Sequence, residues 1–517
     1  MESMYPMLAP IISLFFGLVI ALSSIATKNR RVFWVLAFIG SIIVSLVTFK
    51  IWLDVAEAGE PLVYGGGGWP PPIGIVYIVD GLSALMGVIT SILMLLVVIY
   101  SYGYFGDSPR LPYYYTLVMI LESALLGCYY TGDFFNLFVM VELMAVSAYS
   151  LVAYRREKGR AVEAAIKYGI VAALAGILFF VSLGFMYAYA STLSMPDIAA
   201  RITGTATVMY SYSGSPPSTI APLLFIFGLL VWSLLVESAV FPVHFWLPDA
   251  HSEAPSPVSA ILSGLVVNVG LYAIIRTTYT VGAYTGLPGY TGFAEGLLIL
   301  GCIGSIYGAV MMLIQSDVKR LIAYSTVMHV SLILIGVSLL TSSGLTASIY
   351  HFITHSISKS LAFLSIGVLI LSTGTRSIDG LRGMARINPL AAGTAIIAFL
   401  GLAGMPPLGT FPSKLLLITA SIDSGNLLAA GTIIVSSALA AVAYFRVIHV
   451  MINEPPTRPS KKTKSTSMNM VLILLAIAVI LVGILIPVFY GFTTTASSHA
   501  LNTTRYIDSV NTILQRY

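Results

Sequence analysis

The sequence predicts an all-α, multi-pass membrane protein of about fourteen transmembrane helices. Three observations carry that prediction. First, 57% of the 517 residues are hydrophobic, only 9% are charged, and mean hydropathy is +0.93. Soluble domains are about one-quarter charged, and a soluble chain this poor in charge would expose large apolar patches. Second, the apolar residues fall into runs near the roughly 20 residues that a spanning helix needs. Third, the basic residues segregate by loop parity.

The runs lie near 6–26, 32–53, 77–101, 112–130, 132–154, 161–190, 220–247, 256–278, 293–315, 320–340, 343–372, 389–422, 428–451 and 468–492. The first, from Tyr5 to Ala26, is long enough to span and lacks a basic leader, so it reads as a membrane helix and not a cleaved signal. Odd-numbered loops hold Lys28, Arg30, Arg31, Arg110, Arg155, Arg156, Lys158, Arg160, Lys319, Arg320, Arg376, Arg382, Arg386, Arg458, Lys461, Lys462 and Lys464, which are 17 of the 26 Lys and Arg. The opposite face has Lys50, Arg201, Arg276, Arg505 and Arg516. A miscounted helix would scramble this pattern. By the positive-inside rule the odd loops face the cytoplasm, and both termini face outward across the cell membrane.

Two loops stand out. The outer loop with Asp54, Glu57, Glu60, Gly65–Gly68 and Pro70–Pro72 reads as a turn without chemistry; its glycines precede no helix and make no phosphate cradle. The basic loop from Asn453 to Ser467 reads as a topology anchor near anionic lipid, with a docking site as the alternative. Cys128 and Cys302 sit in apolar runs without metal-ligand or disulfide spacing.

Prolines interrupt two spans. The seventh contains Pro242 and Pro248, the twelfth Pro406, Pro407 and Pro412. Proline removes a helix donor and clashes with the preceding turn, so each span should break. Irregular backbone at membrane depth is tolerated only inside protein or beside a hydrated cavity. Paired interrupted helices point to an inverted-repeat transporter, and a separation of five spans gives the two copies opposite topology.

Charges within spans are costly, yet Glu142, Lys167, Glu237, Lys359 and Lys414 lie inside apolar runs, with His329, His351 and His355. All eight fall between the fifth and twelfth spans; Glu122 is the exception elsewhere. His351, His355 and Lys359 follow i, i+4, i+8 spacing and share a helix face. Such a stripe can line a hydrated proton path. It can also be a hydrogen-bonded seam between helices.

At these residues the chain resembles a family. Asn136-Leu-Phe-Val-Met-Val-Glu142, Phe241-Pro-Val-His-Phe-Trp-Leu-Pro-Asp-Ala-His-Ser-Glu-Ala-Pro, Gln315-Ser-Asp-Val-Lys-Arg-Leu and Gly404-Met-Pro-Pro-Leu are similar to signatures of the antiporter-like subunits of Mrp antiporters, complex I and membrane-bound hydrogenases, nearest the D-type of the Mrp antiporters. The likeness runs from about residue 75 to 450. It implies two inverted five-helix repeats, spans 4–8 and 9–13, each with its broken helix. The chain then divides into N-terminal helices (1–110), first repeat (111–280), second repeat (293–452), basic linker (453–467), and last span with tail (468–517).

The resemblance also implies a mid-membrane hydrophilic axis. Glu142 and Lys414 match its end positions, and His329, His355 and Lys359 fall where the family has polar residues. Two axis lysines are replaced, by Glu237 on span seven and Asn268 on span eight. Glu142 would then face Glu237, and two carboxylates in low dielectric share a proton or bind a cation between them. Lys167 is the candidate counter-charge. The expected function is translocation of H+, Na+ or both within a multi-subunit membrane complex. The alternative is a non-conducting structural subunit that arose from such an antiporter. The expected partners are other membrane subunits, the transported ions and lipid, with no nucleic acid. No cofactor, firm metal site or catalysis by the chain itself is expected, although the parent assembly can be a respiratory oxidoreductase or hydrogenase.

Overall fold

The structure, a computed structural model, describes residues 2–69, 71, 73–204, 221–282, 289–456 and 465–514. The basic stretch of the 453–467 linker, at 457–464, lies outside the described residues.

The N-terminal group comprises α1 (Tyr5–Ala26), α2 (Arg30–Ala58), a short hairpin of β1 (Leu62–Gly65) and β2 (Val76–Val79), and α3 (Gly81–Phe105). Then follow α4 (Leu111–Tyr130), α5 (Phe134–Val152), α6 (Gly159–Ala190), the short α7 (Met195–Thr203), α8 (Ala221–Glu237) and α9 (Trp246–Glu253). The next span is continuous: α10 (Ser256–Ile261), a π-helical turn, α11 (Val267–Ile275) and a second π-helical stretch ending at Val281. The second half holds α12 (Tyr290–Leu313), α13 (Val318–Ser338), α14 (Ser342–Thr373), α15 (Met384–Ile387), α16 (Pro389–Ala403), α17 (Thr410–Asp423) and α18 (Leu427–Asn453). The chain closes with α19 (Thr466–Ile484), α20 (Ile486–Leu501) and α21 (Thr503–Leu514).

Twelve helices among the described residues are long and apolar enough to cross a membrane. The remaining two spans are divided, α8 from α9 and α16 from α17, where the prolines predicted breaks. Pro242, Pro406 and Pro407 lie in the gaps. Pro248 does not: it occupies the first turn of α9, where a missing N–H leaves no intrahelical bond unmade.

Helix starts follow local chemistry. Asp80, Asp133, Asp317, Thr341 and Asn426 each accept a hydrogen bond from a first-turn N–H, satisfying donors that have no intrahelical partner. The apolar stretches of the 256–281 span and of α13 are buried throughout, so these helices form the centre. Helices α1, α2 and α6 leave rows of large apolar side chains exposed, among them Phe15, Leu46 and Phe180, which suits a hydrocarbon surround.

The first and last described segments lie on one face. Ser3 N–H donates to the Val63 carbonyl and Arg505 pairs with Glu60 at 2.9 Å. Three features depart from the sequence reading. The outer loop pairs as a hairpin, with Leu62 opposite Val79. The last span does not stop near 492 but continues beyond Pro487 to Leu501. The tail then folds as α21 against α7 and β1. A loop's hydropathy carries no record of such docking partners.

Candidate functional site

The second break is held by side chains. Where α16 ends, its last carbonyls lose their helical partners. The Thr410 hydroxyl donates to the Gly401 carbonyl. Lys414 Nζ donates to the carbonyls of Leu402, 2.8 Å, and Ala403, 3.1 Å. The ammonium thus sits at the negative end of a helix dipole. Gly404, with φ +87°, turns the chain there, and its Cα face lies against the Lys414 side chain.

From Lys414 the polar groups continue inward. Ser413, its neighbour, bonds His351 Nδ1 at 2.8 Å, and His351 Nε2 bonds His329 Nδ1 at 2.9 Å. The rings of His329 and His355 are 5.5 Å apart. All three histidines are fully buried. His351 and His355 share a face of α14 that looks onto α13, where His329 lies, as does Lys359, whose ammonium donates to the Ile322 carbonyl at 3.0 Å and to the Ser325 hydroxyl. The charge of Lys359 acts on His329, His351 and His355, and on that of His251. No carboxylate pairs with Lys359 or Lys414 among the described residues.

Asn268 follows the first π-helical turn. Its amide donates to the Gly264 carbonyl and the Ser356 hydroxyl, both at 2.8 Å, so it ties the 256–281 span to α14. Its Oδ1 has no partner among the described residues.

In the first half, Glu237 is the last residue of α8 and is 2% exposed. Its carboxyl lies near Cys128 and Tyr168, and Glu142 is within electrostatic reach of it. Glu142 is half-buried and packs on α6 at Gly176, where an added Cβ would come within 2.0 Å of Oε1. No hydrogen bond joins the two carboxyls among the described residues, and no group of three or more His, Cys, Asp or Glu there is arranged to hold a metal.

Lys167 does not neutralise this pair. Its half-exposed ammonium reaches the basic face, pairing with Glu163 at 2.8 Å and Asp249 at 3.2 Å. A lysine two turns into a long helix can snorkel to the interface, and the first turn of α9 carries Asp249 to meet it. His251, further along α9, has no role in the sequence reading. It is fully buried, stacked on Phe363 at 4.8 Å, and neither ring nitrogen has a partner among the described residues. An ionisable residue beside a broken span was its signal. Glu122 is separate: it is buried between α4 and α1 and accepts from Ser13 at 2.9 Å.

Among the described residues, buried polar atoms without partners include Glu237 Oε2, Ser238 Oγ, Asn268 Oδ1, both nitrogens of His251 and His355, and His329 Nε2.

Divided spans around a buried run of ionisable side chains define the class of antiporter-like membrane subunits. Residues 131–440 match the family described as NADH:quinone oxidoreductase/Mrp antiporter, TM, and the chain belongs to that family. It is 31% identical over 458 residues to NADH-quinone oxidoreductase subunit N of Desulforudis audaxviator, covering 87% of this chain and 86% of that one. It is 30% identical over 400 residues to the D-type subunit of the Na(+)/H(+) antiporter of Bacillus subtilis, covering 76% of each. A chain in the membrane-bound sulfane sulfur reductase, an archaeal respiratory membrane complex, superposes with a TM-score of 0.90 at 28% identity, over 98% of this chain and 100% of that one.

Proposed function

We propose that this chain translocates protons, alone or in exchange for sodium, as one subunit of an Mrp- or complex I-type membrane assembly. The observation that carries the reading is the hydrogen-bonded run Ser413, His351, His329, with Lys414 next to Ser413 in the chain, the His355 ring 5.5 Å from His329 and Lys359 buried on the same face of α14 as His351 and His355. A neutral imidazole donates from one nitrogen and accepts at the other, so a proton taken up at one nitrogen of His351 releases one from the other toward His329. Like-charged groups packed this closely compete for protons, so uptake at one end favours release at the other. In the first half, Glu142 and Glu237 form a protonatable or cation-binding pair in place of a carboxylate–lysine switch. Spans 4–8 and 9–13 serve as the inverted repeats, and the basic loops face the cytoplasm.

A second reading, a structural subunit that conducts nothing, draws support from Glu237 and Asn268 at the two altered axis positions. Flux of H+ and Na+ in vesicles holding the whole assembly separates the readings. Lys414→Ala should abolish flux through this subunit while assembly stays intact; unchanged flux would leave the structural reading. Sodium should protect Glu142 and Glu237 from carbodiimide if they bind the cation, and a higher pH should protect them if they hold only a proton, because the reagent attacks the protonated carboxyl. Labelling indifferent to both would remove the pair from the path.

A further inference from the structure

The basic face contains a pocket of about 660 Å3 where the α5–α6 turn meets α10, the start of α13 and the end of α14. Arg155, Lys158 and Arg160 enter it from the turn, Lys319 from α13, and Arg376 from the loop after α14. Arg376 is already engaged, with Glu253 at 3.0 Å and Asp317 at 3.2 Å. The acid nearest in sequence to the turn, Glu157, pairs away with Arg110. Among the described residues, no acidic side chain forms an ion pair with Arg155, Lys158, Arg160 or Lys319. Lys319 is 2% exposed, and its ammonium is held by the Ala254 carbonyl at 2.5 Å.

Glu253 lines the cavity too, but it is taken up by Arg376, so four further cations face one cavity and repel each other unless another anion joins them. The cavity has a second character on one side: Ile370 and Leu371 line it, and Leu371 is 41% exposed on the apolar surface of α14. A free oxyanion has no use for that wall, whereas an acyl chain does. Guanidinium forks match phosphate oxygens two at a time, and basic pockets between spans at the anionic leaflet take phospholipid headgroups.

We propose that this pocket binds the phosphate headgroup of an anionic phospholipid, with Arg155, Lys158, Arg160 and Lys319 on the phosphate and an acyl chain along Ile370 and Leu371. The lipid would tie the α5–α6 turn to α14, one element from each half of the molecule.

The test uses the intact assembly in nanodiscs of phosphatidylglycerol or phosphatidylcholine, with retained lipid counted by native mass spectrometry after transfer to detergent. Phosphatidylglycerol should be retained and phosphatidylcholine should not. Arg155→Gln with Lys158→Gln should weaken retention about tenfold; Arg386→Gln, a cation elsewhere on the same face, should not. Equal retention of the two lipids, or unchanged retention in the double variant, would overturn the proposal. Displacement of the lipid by millimolar inorganic phosphate alone would replace it with a free-phosphate site. Loss of assembly in the double variant with lipid retention unchanged would assign the pocket to an acidic segment of a partner.

Discussion

Asp80 and Arg276 form a buried ion pair on the face that carries the first and last described segments. Arg276 Nη1 reaches Asp80 Oδ2 at 2.6 Å, Nη2 reaches Oδ1 and the Ser83 hydroxyl, and Nε reaches the Tyr272 hydroxyl at 2.9 Å. Burial alone would raise the Asp80 carboxyl, but the guanidinium overrides it and holds the group below the usual carboxylate range. A depressed folded value stabilises above the unfolded pKa, and that contribution is lost as pH falls through the folded one. Asp80→Asn leaves a buried cation uncompensated and should cost about 3–5 kcal/mol, read as a lower melting temperature in detergent. Removing both partners, as Asp80→Asn with Arg276→Met, should cost less. Asp133 has the opposite sign: burial lifts it to about 6. Its charge therefore opposes folding above that pH, and the penalty vanishes below the unfolded value near pH ~4. Asp133→Asn keeps the cap to the Asn136 N–H and should raise the melting temperature at about pH 8 but not below about pH 4.

Among the elements, the divided helices were legible because proline acts on its own turn. What satisfies the freed backbone was not. At the first break, Trp246 Nε1 donates to the Val236 carbonyl at 3.0 Å; at the second, Thr410 and Lys414 take the carbonyls. Helix α11 crosses the end of α8 so closely that a Cβ on Gly270 would lie 2.3 Å from the Leu234 carbonyl oxygen. Gly270→Ala should displace the turn that presents Glu237, costing about 1–3 kcal/mol by overpacking and lowering ion flux. Gly228→Ala, on α8 with open space around it, should change neither the melting temperature nor the flux.

Over the whole molecule, the last span supports the second break from outside the expected repeats. Gly409 N–H donates to the Val479 carbonyl at 3.1 Å, Tyr350 donates to the Val482 carbonyl at 2.8 Å, and a Cβ on Gly483 would lie 2.0 Å from the Pro407 carbonyl oxygen. Gly483→Ala carries no charge change, yet it should lower both the melting temperature and the flux that Lys414 supports. Flux unaltered in a folded Gly483→Ala assembly would separate α19 from the ion path.

The sequence by itself determined the membrane class, the spans, both breaks, the basic face and the ionisable residues placed at depth. Those are properties of short windows: hydropathy over about 20 residues, one proline on one turn, the charge of one loop. Only the tertiary structure decided which groups meet. Lys167 turned to Glu163 and Asp249 and not to Glu142 and Glu237; His351 met Ser413 from a different span; Asp80 met Arg276 across 196 residues of chain. Helix rotation and close approach set those meetings, and both follow from packing against neighbours that no window contains.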